Sequence, residues 1–174
     1  MMNRGIRQLT YCAIFVALNA VCGIIAIPFG SISLTLQTLC IYLSLYYLGP
    51  LYGSVSVLAY ILLGVIGLPV FSSSGGLLGP SGGFIIGFIP LMAVYSLVLL
   101  LFGSGKLSRI LATALSLIAL YASGSVYYAL VYLGGIGQLW ASMLVTVIPF
   151  VLPDIAKIAL AFLLSERLLK YKNK

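Results

Sequence analysis

Apolar residues run almost unbroken between a few short clusters of charge. Neither acidic nor basic residues occur from Gln8 to Gly105, or again from Ile110 to Pro153. The breaks inside these runs are small and polar: Pro28-Phe29-Gly30-Ser31, Gly49-Pro50, residues 69–83, Gly103-Ser104-Gly105 and Gly134-Gly135-Ile136-Gly137. A membrane-spanning helix needs about 20 mostly apolar residues. The first run has room for four such helices and the second for two. The pattern predicts an all-α membrane protein with six transmembrane helices, at 8–27, 36–48, 51–68, 84–102, 109–133 and 139–168. The outer loops are then 28–35, 69–83 and 134–138, and residues 1–174 form a single integral membrane domain.

Composition agrees with the pattern. Hydrophobic residues are 63% of the chain and charged residues 6%, whereas soluble domains carry about 25% charged residues. The net charge of +7 is not a nucleic-acid signal, because its placement is periodic. Arg4 and Arg7, then Lys106 and Arg109, then Arg167, Lys170, Lys172 and Lys174 alternate with paired spans. Basic residues placed this way mark the cytoplasmic side, which puts both termini inside. The start of the chain resembles a signal peptide, but its apolar run continues to Ile27 without a small-residue cleavage site, so it reads as a retained first helix.

Several chemistries are disfavoured. Cys12, Cys22 and Cys40 contain no CxxC pair and histidine is absent, so neither a zinc site nor a redox centre is expected. Nothing calls for a cofactor. Gly103-Ser104-Gly105-Lys106 imitates a phosphate-binding loop, but Leu100 and Leu107 stand where glycine and Ser/Thr belong.

The chemically informative stretch is Pro149-Phe150-Val151-Leu152-Pro153-Asp154-Ile155-Ala156-Lys157. Asp154 is one of only two acidic residues, and Lys157, three positions on, shares its helix face. Counted from Arg167 at 1.5 Å per residue, Lys157 lies about 15 Å and Asp154 about 20 Å into the membrane. Ionised groups at such depth are costly and usually functional. One reading is a salt bridge fastening helix 6 to the bundle. The other is a ligand site open to the outside, roofed by the 28–35 and 69–83 loops, with Lys157 binding an anion and Asp154 accepting from N–H donors. That ligand is small, partly apolar, anionic at one end and N–H-bearing. Gln37 and Thr38 suggest polar groups facing a cavity, and Thr35 or Ser33 is placed to cap helix 2. The glycines of the 69–83 loop allow close backbone approach to a ligand.

At these residues the sequence resembles a known family. Thr35-Leu36-Gln37-Thr38, Gly49-Pro50, Tyr60 with Gly64, Gly67-Leu68-Pro69-Val70-Phe71, Gly79-Pro80-Ser81-Gly82-Gly83 with Gly87-Phe88, and Pro153-Asp154-Ile155-Ala156-Lys157 are similar to the BioY family. Its members are biotin-binding S components of energy-coupling factor transporters. Ser81 replaces an expected threonine and Phe84 a common tyrosine. The resemblance implies a multi-pass protein of the bacterial cytoplasmic membrane. It also implies that the protein captures biotin and works with a transmembrane T component and two cytoplasmic ATPases, without being an enzyme itself. Substrate contacts would then come from Asp154, Lys157, Gln37, Thr35, Tyr42, Gly75, Gly76, Gly79, Ser81 and Gly82. Either Asp154 meets the ureido ring, or it orients Lys157 while Gln37 and the 75–83 backbone bind that ring. Ala13 and Ala17 form an AxxxA surface of the kind S components use to dock the T component. The alternatives are an S component for another small anionic vitamin, or a stand-alone ion-coupled carrier using Asp154.

Overall fold

The computed structural model describes residues 4–30, 32–71 and 76–172. Helix α1 (Arg4–Ile24) is followed by a hairpin of β1 (Ala26–Phe29) and β2 (Ile32–Thr35). Then come α2 (Gln37–Val65), α3 (Gly82–Phe102), α4 (Lys106–Val131), α5 (Leu139–Thr146) and α6 (Ile148–Lys172). Single turns of 3₁₀ helix lie at Gly76–Leu78 and Ile136–Gln138. Among the described residues, five helices are long and apolar enough to cross a membrane: α1, α2, α3, α4 and α6. Their surface is inverted relative to a soluble protein. Leu100, Leu107 and Ile66 are 81%, 80% and 77% exposed, which suits lipid and not water.

Where six spans were expected, two differences appear. The segments expected at 36–48 and 51–68 are one element, α2, interrupted at Gly49 (φ 84°, ψ 172°) just before Pro50. That φ lies in the left-handed region, which glycine enters without steric penalty. The two arms fold back on each other. A side chain at Gly53 would meet the Leu45 Cα at 2.8 Å, and Gln37 bonds to Tyr60. Pairs at these spacings mean antiparallel arms meeting about Gly49.

The segment expected as one helix over 139–168 is instead α5 and α6, separated at Val147. Pro149 cannot donate to a carbonyl four residues back. The chain therefore ends one helix and begins another, placing Pro149 in the first turn, where a backbone N–H has no helical partner anyway. The expected outer loop 28–35 is largely the β-hairpin. No side chain caps α2, whose preceding residue is Leu36.

The chain divides into two compact units. The first holds α1, both arms of α2 with the chain on to Val70, and α6 from Pro153 onward. In it α1 buries Cys12, Phe15, Asn19 and Cys22, a stripe with helical spacing. Tyr11 and Phe15 pack on Tyr47 of α2, and Tyr46 on Phe162 of α6. The second holds residues 27–34 and 71–152. There α3 and α4 lie antiparallel in close contact through small residues. A side chain at Gly83 would strike Tyr127, one at Gly124 the Phe84 ring, and one at Gly87 Ser123. Ile32, Tyr128 and Phe150 form a core with Leu34 and Phe84. Ser125, Ser142 and Thr146 join α4 to α5 by buried hydrogen bonds of 2.7 and 2.9 Å.

Candidate functional site

Pro153 lies inside α6, where it lacks the N–H that would bond the Pro149 carbonyl. Asp154 and Lys157 follow on the next turn. Both are buried, at 4% and 9% exposure, and Lys157 Nζ donates to Asp154 Oδ1 at 2.8 Å. The same oxygen accepts from Thr38 Oγ1 at 2.9 Å. Thr38 is the second residue of α2, so the carboxylate is held beside the positive end of a helix dipole, where a negative charge is stabilised. Among the described residues Lys157 has no such further support. Its ammonium carries three donors, and among the described residues its one hydrogen bond is to Asp154. The site is therefore a buried ammonium with donor capacity to spare, oriented by a carboxylate that is itself anchored.

The other candidates of the first unit lie along α2. Thr35 Oγ1 donates to Gln37 Oε1 at 2.9 Å, and Gln37 Nε2 donates to the Tyr60 hydroxyl. Tyr42 is fully buried and stacked on Tyr46. In the second unit, Gly76 has φ 62°. Gly79 is buried and accepts from the Gly82 N–H at 2.9 Å. A side chain at Gly82 would strike the Leu77 carbonyl, so packing alone requires glycine there. Tyr127 and Tyr132 donate to the carbonyls of Leu77 and Leu78, pinning the 3₁₀ turn onto α4. Ser81 precedes α3 without capping it, and its buried hydroxyl has no hydrogen-bond partner among the described residues. Gly75 lies outside the described residues. Ala13 and Ala17 are both exposed on α1, beside Leu9, Ile14 and Leu18.

Two participants have partners that the sequence does not reveal. The sequence pairs Thr38 with Gln37 as polar groups facing a cavity, but its contact with Asp154 joins positions 116 residues apart. Tyr60 stands in the sequence only as a motif residue. Its hydroxyl receives Gln37 and donates to the Val70 carbonyl.

The model of the BioY family matches residues 1–174. The "Probable biotin transporter BioY" of Pyrococcus horikoshii is 36% identical over 166 residues, covering 93% of this chain and 96% of that one. The "Biotin transporter BioY" of Thermotoga maritima is 35% identical over 168 residues, covering 94% and 96%. A crystal structure of the S component for biotin from an ECF-type ABC transporter superposes with a TM-score of 0.77 at 26% identity, covering 98% of this chain and 95% of that one. An S component of a bacterial ECF transporter shares the fold, with a TM-score of 0.65 at 16% identity.

Proposed function

The chain belongs to the BioY family, and we propose that it captures biotin as the substrate-binding subunit of an ATP-driven transporter rather than acting as an enzyme. The observation that carries this reading is the buried Lys157 ammonium, whose one described partner is Asp154. Biotin supplies what that group lacks, a carboxylate on a flexible apolar arm. The charge balance favours the exchange. Asp154 is stabilised by Thr38 and by the N-terminal end of α2, which leaves the lysine charge for the ligand. Asp154 acts mainly by orienting Lys157, and Tyr42 lends an apolar wall. The names of the relatives support biotin as the ligand, one being a "Probable biotin transporter BioY" and the other a "Biotin transporter BioY".

The finer topology is part of the same proposal. The antiparallel arms of α2 count as two crossings, which with α1, α3, α4 and α6 makes six. An even number leaves both termini on the cytoplasmic side, in keeping with the basic clusters. The chain would sit in the cytoplasmic membrane and assemble with a transmembrane T component and two ATPases. Exposed Ala13 and Ala17 support a docking face on α1.

The test is calorimetric titration of the detergent-purified protein with biotin, thiamine and riboflavin. Tight one-to-one binding of biotin alone is expected. Folded protein that ignores biotin but binds another small anion would replace the substrate and leave the fold untouched.

A further inference from the structure

Thr35, Gln37, Tyr60 and Val70 form one chain of hydrogen bonds within the first unit. Thr35 Oγ1 donates to Gln37 Oε1 at 2.9 Å, Gln37 Nε2 to the Tyr60 hydroxyl, and that hydroxyl to the Val70 carbonyl at 3.1 Å. The direction of the chain is fixed by chemistry. A backbone carbonyl can only accept, so Tyr60 must give it its single proton. The tyrosine oxygen then has to receive, which turns the amide Nε2 of Gln37 toward it. The remaining amide oxygen has to accept from Thr35. Every donor points the same way, so each bond polarises the next.

The chain joins segments far apart in sequence. Thr35 ends β2, Gln37 opens α2, Tyr60 lies on the second arm of α2, and Val70 begins the stretch toward the 3₁₀ turn. Gly23 of α1 lies against the middle of it. A Cβ there would meet the Val70 oxygen at 2.6 Å, the Tyr60 hydroxyl at 2.8 Å and the Gln37 amide at 3.2 Å. The backbone of α1 is held close by the Leu36 N–H, which donates to the Cys22 carbonyl at 3.3 Å. Tyr60 is fully buried and Gln37 is 6% exposed, so water is a poor substitute for any bond that breaks.

We propose that Gln37 and Tyr60 are positioning residues that couple the end of the β-hairpin to Val70, so that loosening either segment loosens the other. This gives Gln37 a role apart from any ligand contact: each end of its amide has a protein partner, and through these it acts on Tyr60 and Val70. Where biotin is the ligand, as proposed above, the coupled segments set how long it stays.

The test is hydrogen exchange of the detergent-purified full chain without ligand, followed in peptides covering 33–37 and 68–71. Tyr60→Phe keeps the ring and removes the hydroxyl. It is expected to raise exchange several-fold in both peptides while leaving α3 and α4 as in the parent. Thr35→Val is the more telling variant, because Thr35 contacts neither Tyr60 nor Val70 in the chain described above. Faster exchange at 68–71 in Thr35→Val is the signature of coupling. Exchange that rises only around the substituted residue, in both variants, would overturn it. With biotin added, Tyr60→Phe is expected to release ligand several-fold faster. A parent protein that never binds biotin would sink the ligand assignment alone, since the exchange readout does not use it.

Discussion

Lys157 Nζ lies 2.8 Å from Asp154 Oδ1, one helical turn away on α6, and both groups are buried. Such a pair is seldom kept for stability. Apolar residues of similar volume usually serve as well or better. What distinguishes this pair is asymmetry. The carboxylate oxygen has two donors, one of them from the first turn of α2, whereas the ammonium has one described acceptor. The arrangement leaves a cation oriented for something else.

Lys157→Ala is expected to weaken biotin binding by at least about tenfold. Removing one partner of a buried hydrogen-bonded charge pair typically costs about 2–5 kcal/mol in binding, and tenfold corresponds to about 1.4 kcal/mol. Calorimetry on protein that elutes as a single species checks it. Unchanged affinity would move the carboxylate site elsewhere.

Thr38→Val should act in the same direction but less. It keeps the shape of the side chain and removes one bond to Asp154 Oδ1. A hydrogen bond to a charged group contributes about 1.5–3 kcal/mol, and part of that reaches the ligand through the orientation of Lys157. Biotin affinity is expected to fall about five- to tenfold. Thr38→Ser, which retains the hydroxyl, should stay within twofold of the parent. A loss in Thr38→Ser without one in Thr38→Val would argue that the methyl group, not the hydroxyl, matters.

Much of this was legible because a membrane chain has a simple grammar. The apolar runs and basic clusters marked helices closely: 84–102 was expected where α3 spans Gly82–Phe102, and Asp154 with Lys157 stood out against an apolar background. Two features were hidden for local reasons. The sequence places Pro149 inside one helix over 139–168, but a proline is also at ease in a first turn, and composition cannot tell the two positions apart. The hairpin at Ala26–Phe29 and Ile32–Thr35 carries four-residue strands, too short to show an alternation distinct from a loop. Long-range pairings were out of reach altogether. Neither Thr38 with Asp154 nor Gln37 with Tyr60 leaves a trace in spacing.

Gly53→Ala is expected to destabilise the α2 hairpin. The added carbon would lie 2.8 Å from the Leu45 Cα and 3.0 Å from the Ser44 carbonyl oxygen. Both are backbone atoms, so the arms must part for it to fit. Overpacking of this kind costs about 1–3 kcal/mol, and the melting temperature in detergent should drop by several degrees. Gly137→Ala serves as the control, since nothing lies within 4 Å of its added carbon and its melting temperature should match the parent. Equal melting of both variants would mean the arms are not in contact at Gly53.

Ala13→Trp and Ala17→Trp separate ligand capture from assembly. Both alanines are exposed on α1, while Cys12, Phe15 and Asn19 on the opposite face are buried. A large ring at either position projects away from the first unit, so folding and biotin binding should be unaffected. Small residues four apart let another helix approach closely, and an indole fills that gap. Co-expression with the T component and two ATPases, followed by affinity purification, should recover the parent chain in the complex and lose either variant. Normal recovery of both would place the docking face elsewhere on the chain. Loss of biotin binding along with assembly would instead show that α1 shapes the ligand site directly, and that the two roles share one surface.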